Sequence, residues 1–103
     1  SSDLLWEMAY NQLSALPPVF CRLPIKRLVL NHNCFKTFPT VIKEMNALNH
    51  LEMLYNQIES IPEEIRLHSL AINGNPCTFS RNLEIDYIDV RDCPSHRQFV
   101  RKK

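Results

Sequence analysis

An internal repeat constrains the fold of this chain more than any other feature of its 103 residues. Residues 25–39 (IKRLVLNHNCFKTFP) align with residues 48–62 (LNHLEMLYNQIESIP), so that apolar residues, one asparagine and a closing proline coincide. The same frame fits residues 6–17 and 67–77, which gives four units. A regular period of this length is typical of chains in which equivalent units stack side by side.

Eighteen positions of the four units are expected to face the core, and every one carries an apolar residue. In each unit, two of these apolar residues are separated by a single residue. Leu28 and Leu30 therefore point inward while their neighbours point outward, as in a β-strand. We therefore predict an α/β solenoid with about four parallel strands on a concave side and irregular or short helical segments on a convex side. The inward positions are Trp6, Met8, Leu13, Leu16, Ile25, Leu28, Leu30, Phe35, Phe38, Leu48, Leu51, Met53, Ile58, Ile61, Leu67, Leu70, Ile72 and Cys77.

An asparagine follows each predicted strand, and in three of the units a proline comes at the start of the outer segment. An inward amide side chain can satisfy the backbone N–H and C=O groups that a turn leaves unpaired. Proline fixes φ and lacks the N–H that a strand needs, so Pro17, Pro39 and Pro62 are expected to open the outer segments. The predicted structural asparagine ladder consists of Asn11, Asn33, Asn56 and Asn75.

The resulting pattern, L-x-x-L-x-L-x-x-N-x-L-x-x-L-P, resembles the leucine-rich repeat family over residues 3–78. The segments of the type L-P-x-x-I or L-P-x-x-F and the 22 to 23 residue units are similar to the intracellular class that includes Ras-regulating and cell-polarity scaffolds. This resemblance implies a segment of a horseshoe-shaped domain. It also implies non-catalytic protein recognition, as in an adaptor or scaffold of signalling.

Two units depart from the pattern. In the first unit, Asp3 stands where the opening leucine is expected, and Trp6 fills a leucine position. The third unit is only 19 residues long, counted from its asparagine to the next, because Leu67 follows Ile65 almost at once. Either its outer connection is unusually tight, or residues near 65–67 are absent from the sequence. Four units are few for a solenoid, so we expect a module of a longer chain or a larger complex.

The chain divides into three parts. Leu83, Ile85 and Tyr87 alternate with acidic residues, which predicts a short amphipathic strand. A stacked array needs a polar-faced terminal segment over its last apolar layer, so we interpret this region as a cap. The predicted parts are leucine-rich repeats at 1–78, a C-terminal cap at 79–94 and a basic tail at 95–103.

The chain has one glycine and a nearly balanced charge, and these two features argue against several classes of function. One glycine cannot build a phosphate-binding glycine loop or a dinucleotide fingerprint. Twelve Lys and Arg against eleven Asp and Glu give a net charge of +1, which argues against nucleic acid as a partner. No apolar run approaches the roughly 18 residues of a membrane-spanning helix, so no membrane span is expected.

No constellation of residues favours catalysis, a metal or a cofactor. The cysteines lack the paired spacing of zinc ligands, and the repeat frame puts the strand histidines on the opposite side from Cys21. We predict that the chain is not an enzyme. Four reduced thiols are expected, which indicates the cytoplasm or nucleus. Cys77 and Cys93 could nevertheless close a loop of about 16 residues, so their oxidation stays open.

The predicted concave sheet offers a surface for a partner. Its outward side chains align in stripes across the strands, and tyrosine provides a large rigid contact area at little entropic cost. The alternative is that these rings only pack on one another along the sheet. The candidate partner-binding residues are Tyr10, Arg27, Val29, His32, His50, Glu52, Leu54 and Tyr55.

These features predict a module that binds a protein or peptide on its concave sheet. Two alternatives remain open. One is a secreted or receptor ectodomain fragment in which Cys77 and Cys93 are bonded. The other is the substrate-recognition part of a ubiquitin ligase or of another enzyme complex.

Overall fold

Seven short strands and two short helices follow one another within the part of the chain that the structure describes. The computed structural model describes residues 4–79 and 82–90. The strands are β1 (Leu5–Glu7), β2 (Arg27–Val29), β3 (His50–Glu52), β4 (Ser60–Ile61), β5 (Arg66–Ala71), β6 (Thr78–Phe79) and β7 (Glu84–Asp89). Two 3-10 helices span Pro18–Arg22 and Thr40–Glu44. Within the described ranges, no helix is long and apolar enough to cross a membrane.

Five strands form one parallel sheet in the order β1-β2-β3-β5-β7, and β4 pairs with β6 in a second parallel sheet. Equivalent repeat positions are partners in this register: Trp6 lies opposite Leu28, Leu28 opposite Leu51, and Leu51 opposite Leu70. The predicted α/β architecture with a parallel sheet is confirmed. The predicted number of about four strands was wrong, because the main sheet has five.

The fifth strand comes from the stretch that the sequence assigned to a cap. Leu67 lies opposite Ile85, and Leu70 opposite Ile88. Ile85, Ile88 and Val90 repeat the spacing of the inward residues in β5, so the stretch joins the same sheet as one more parallel strand. The predicted boundary after residue 78 stays a prediction, and the basic tail at 95–103 lies outside the described residues.

The core runs along the inner side of the main sheet. Fifteen of the eighteen predicted inward residues are buried there, together with Phe20, Ile42 and Ile65 of the outer segments. The other three belong to the first unit: Trp6 is exposed, and Met8 and Leu13 are half-buried. The first unit is less buried because, among the described residues, β1 has a neighbouring strand on one side only.

Proline opens each outer segment. Phe20 N–H donates to Pro17 O at 3.1 Å and Ile42 N–H donates to Pro39 O at 3.1 Å, which starts the two 3-10 helices. In the short third unit, Ile65 N–H donates to the oxygen of Pro62 at 3.5 Å, and β5 begins at the next residue. A single turn therefore closes the third outer connection, and the buried Ile65 takes the position that Ile42 has in the unit before it.

Buried asparagines tie each unit to the one before it. Asn56 Nδ2 donates to Leu30 O of the preceding unit at 3.0 Å and to Met53 O of its own unit at 3.2 Å. Asn56 Oδ1 accepts the N–H of Phe35 at 3.1 Å, again from the preceding unit. One side chain thus satisfies backbone groups in two layers, which a buried turn requires.

Asn33 and Asn75 repeat this arrangement. Their Oδ1 atoms accept N–H groups from the preceding unit at 3.0 Å, and their Nδ2 atoms donate to carbonyls of both units. Asn11 differs because it is exposed and donates only to Met8 O and Ala9 O of its own turn. The described residues contain no layer on that side for it to join.

Replacing Asn56 by alanine is expected to lower the free energy of unfolding by about 3 kcal/mol, because the buried Phe35 N–H and three carbonyls lose their partner. Urea denaturation followed by circular dichroism measures this loss. The matched control is Asn11→Ala at the exposed equivalent position, with an expected loss below about 1 kcal/mol. Equal losses in the two variants would contradict the assigned role of the buried asparagine.

Candidate partner-binding face

The outward side chains of the main sheet form one surface, which we call the open face. The register aligns them in two rows that cross all five strands. The first row consists of Leu5, Arg27, His50, Ser69 and Tyr87, and the second of Glu7, Val29, Glu52, Ala71 and Asp89.

Three rings stack where the strands of the open face end. Tyr10 and His32 have ring centroids 4.4 Å apart and planes 9° apart, and His32 and Tyr55 are 4.8 Å and 22° apart. The parallel hydrogen-bond ladder continues to these residues, since Tyr10 N–H donates to Asn31 O and His32 N–H to Leu54 O. We call Tyr10, His32 and Tyr55 the aromatic column.

The residues of the aromatic column adopt a left-handed backbone conformation. Tyr10, His32 and Tyr55 have φ values of 61°, 57° and 58°, and Gly74 at the equivalent position of the fourth unit has φ 76°. This conformation costs an L-residue other than glycine roughly 1–2 kcal/mol. The turn before each ladder asparagine therefore demands the same backbone geometry in every unit, whichever side chain is present.

Gly74 closes the aromatic column at its far end. A Cβ atom at this position would lie 2.4 Å from Cδ1 and 2.7 Å from Cε1 of Tyr55, so the Tyr55 ring covers the Gly74 backbone. The opposite face of the same ring stacks on His32, which leaves the ring little room to move away. The lone glycine of the chain thus leaves the space that the Tyr55 ring occupies.

A third row of side chains lies between the strands and the aromatic column. Asn31 Nδ2 donates to Glu52 Oε1 at 3.1 Å, and Asn31 Oδ1 accepts the N–H of Leu54 at 2.8 Å. Leu54 is half-buried beside it. Asn31 therefore bridges two strands on the open face and orients the carboxylate of Glu52.

A hollow of about 800 Å³ lies in the open face between β3 and β7. Its floor consists of Ser69 and Ala71, the small outward residues of β5, while larger side chains of the neighbouring strands form its walls. The hollow exists because these two small residues separate Glu52 on one side from Tyr87 and Asp89 on the other.

A second group of rings lines the beginning of these strands. His50 Nδ1 lies 2.6 Å from Ser69 Oγ in a hydrogen bond, and His68 Nδ1 donates to Asp86 Oδ2 at 3.0 Å. The His68 ring meets His50 and Tyr87 edge to face, with centroids 5.4 Å and 5.2 Å apart. Because these contacts link side chains of three strands, they limit the rotamers of the side chains that form the walls of the hollow.

The eight candidate residues from the sequence are brought together by this arrangement. Arg27 and His50 share the first row, Val29 and Glu52 share the second, and Leu54 lies beside Asn31. Tyr10, His32 and Tyr55 make up the aromatic column. Their binding of a partner stays a prediction, although their neighbourhood is now defined.

The sequence analysis missed the contribution of β7 to the open face. Tyr87, Asp86 and Asp89 line the hollow, but their strand was assigned to a cap. The spacing of Ile85, Ile88 and Val90 was the available signal. It was obscured because the asparagine and the later proline of the repeat pattern do not recur at their usual distances after this strand.

The three cysteines within the described ranges lie away from the open face. Cys21 lies in the first 3-10 helix and Cys34 is exposed in the turn after β2, and both are free thiols. Cys77 is fully buried, while Cys93 lies outside the described residues. Within residues 4–79 and 82–90, no three His, Cys, Asp or Glu side chains are grouped as metal ligands would be.

Comparison with known proteins shows a short similarity. A stretch of 36 residues is 47% identical to a probable serine/threonine-protein kinase, roco8, of Dictyostelium discoideum. The stretch covers 34% of this chain and 2% of that protein. No protein-family model matches the chain.

Replacing Gly74 by alanine is expected to lower the free energy of unfolding by about 2 kcal/mol, since it adds left-handed strain and a clash with the Tyr55 ring. Denaturant unfolding gives the stability, and the NMR signals of the Tyr55 ring protons report its displacement.

A double-mutant cycle separates the two causes. In a Tyr55→Ala background the clash is gone, so Gly74→Ala should cost only about 1 kcal/mol through its backbone conformation. If Gly74→Ala lowers the free energy of unfolding as much in that background as in the unaltered chain, the position of the Tyr55 ring does not depend on the absence of a side chain at residue 74.

Proposed function

We propose that this chain is a leucine-rich repeat module that binds a protein or peptide partner on its open face. The module would act as an adaptor or scaffold rather than as an enzyme. The proposal combines the resemblance of the sequence with the arrangement of exposed aromatic side chains on one surface.

The distribution of tyrosine carries this proposal. All three tyrosines of the chain line the open face or the end of its strands, and Tyr10, Tyr55 and Tyr87 are 76%, 50% and 66% exposed. Leu5 of the first row is also more than half exposed. Exposed aromatic groups concentrated on one surface are typical of protein interaction sites, where they are buried by the partner at low entropic cost.

The repeated register supports the leucine-rich repeat assignment. Every inward leucine position of one strand lies opposite its equivalent in the next, and three asparagines make the same bonds between layers. The third outer connection is shorter than the family pattern, and the first unit is an exposed edge. Both departures concern single units and leave the stacking of the other layers intact.

A role without catalysis agrees with the chemistry of the described residues. The polar side chains of the open face are held by neighbours on adjacent strands, as His50 is by Ser69 and His68 by Asp86. The similarity to a probable kinase covers 2% of that protein and carries no argument for phosphoryl transfer. We accordingly propose recognition alone, in the cytoplasm or nucleus.

The binding surface can be tested with a displayed library of random 12-residue peptides. Binders selected on the purified chain are expected to lose at least about tenfold in affinity for the His32→Ala/Tyr55→Ala double variant, because the aromatic column loses two rings. Val29→Glu should weaken them as well without touching the column. Fluorescence anisotropy measures the affinities, and circular dichroism verifies that each variant is folded.

The matched control is Val19→Ala, which removes an exposed apolar side chain from the first 3-10 helix on the outer side. Its affinity for the same peptides should equal that of the unaltered chain. Binders that respond to Val19→Ala and not to the open-face variants would contradict the proposed function.

The proposed compartment is tested by counting thiols. Unfolding the chain in guanidinium without reductant and titrating with a chromogenic disulfide should reveal four thiols per molecule, as expected of a reducing compartment. A count of two would favour the secreted alternative with a bond between Cys77 and Cys93. The same titration after reduction provides the reference count.

A further inference from the structure

We propose that the hollow between β3 and β7 receives an arginine side chain of the partner. This inference rests on the proposed function, because it assigns a chemistry to part of the same open face. Three observations support it: the charge of the lining, the room above the floor and the exposed ring on the wall.

The lining of the hollow is acidic in a chain of slightly positive net charge. Among the described residues, Glu52, Asp86 and Asp89 contribute three carboxylates to the lining, of which Asp86 accepts a hydrogen bond from His68, and Arg27 contributes one guanidinium group. Glu52 is oriented by the neutral amide of Asn31, which fixes the position of the carboxylate without cancelling its charge. A partner with a positive side chain at this place complements the hollow, and a nucleic-acid backbone does not.

The shape of the hollow suits a long and slender side chain. Ser69 and Ala71 leave about 800 Å³ of space between the walls, while the methyl group of Ala71 and the ring of Tyr87 offer apolar surface beside it. A methylene stem can lie on such a surface while its charged end reaches the carboxylates. An extended partner segment could therefore insert one basic side chain without any movement of the strands.

Tyr87 favours arginine over lysine. Its ring is 66% exposed and is held on edge by the imidazole of His68, beside Asp86 and Asp89 of the same strand. A guanidinium group can stack on an aromatic ring and bond to a carboxylate in its own plane, whereas an ammonium group pairs as a point charge. The combination of ring and carboxylates is thus the chemistry that recognises a guanidinium.

The experiment titrates the isotopically labelled chain with blocked pentapeptides and follows its amide signals by NMR. The peptides are Gly-Ala-Arg-Ala-Gly and the same sequence with citrulline, which is neutral and nearly isosteric, or with lysine in the central position. The arginine peptide is expected to shift the amides of Ser69, Ala71 and Tyr87 in a saturable manner. The citrulline peptide should bind about fivefold more weakly, and the lysine peptide should lie between them.

Two sets of variants locate the effect. Glu52→Gln/Asp89→Asn removes two carboxylates of the lining and should reduce the affinity for the arginine peptide to that for citrulline. Glu63→Gln/Glu64→Gln makes the same charge change on the exposed turn after β4, and it should leave the affinity within about twofold. Ala71→Arg, which fills the hollow while keeping its carboxylates, should abolish the shifts.

Each outcome decides the proposal. Equal affinity for the arginine and citrulline peptides, or shifts confined to residues outside the hollow, would overturn it. Library binders that depend on the aromatic column but bind equally well to Glu52→Gln/Asp89→Asn would leave the proposed function standing and refute the arginine site. A library without any binder that depends on the open face would refute the proposed function itself.

Discussion

Satisfaction of backbone groups at the turn after each strand is the constraint on which the rest of the structure depends. The chain leaves the sheet at the same point in every unit, and a buried asparagine there bonds to carbonyls and N–H groups of two layers. Because these bonds have defined lengths and directions, they hold consecutive units in one register. The parallel sheet, the continuous apolar core and the alignment of the outward rows all follow from that register.

The alignment of side chains on the open face follows from the same register and needs no further interaction. When inward leucines lie opposite one another, outward residues must do so too, and side chains distant in sequence meet as cross-strand neighbours. Small residues on β5 then form a hollow, and rings at the strand ends form a column. Variation of the outward side chains can change this surface while the buried leucines and asparagines keep the scaffold.

The sequence predicted those parts of the molecule that depend on one periodic signal. The inward leucines, the parallel strands and the row of Glu7, Val29 and Glu52 come directly from the repeat frame. An amphipathic strand was predicted near Leu83 and Tyr87, but its place in the parallel sheet was missed, since it lacks the asparagine and proline that mark the other strands. The pairing of β4 with β6 and the positive φ of the aromatic column were also missed, because they depend on how outer segments meet and on a turn geometry without a glycine signal.

The spacing within the aromatic column has a consequence for what can lie along it. Its rings are 4.4 Å and 4.8 Å apart, close to the separation of neighbouring strands in any sheet, about 4.8 Å. The distance between neighbouring rings of the column is therefore set by the separation of the backbone strands and not by the rings themselves. An extended chain that runs along the strands advances about 3.3 Å per residue and can contact the column at only one place. A ligand that crosses the strands meets one ring at each strand, so the direction in which the ligand lies decides how many rings contact it.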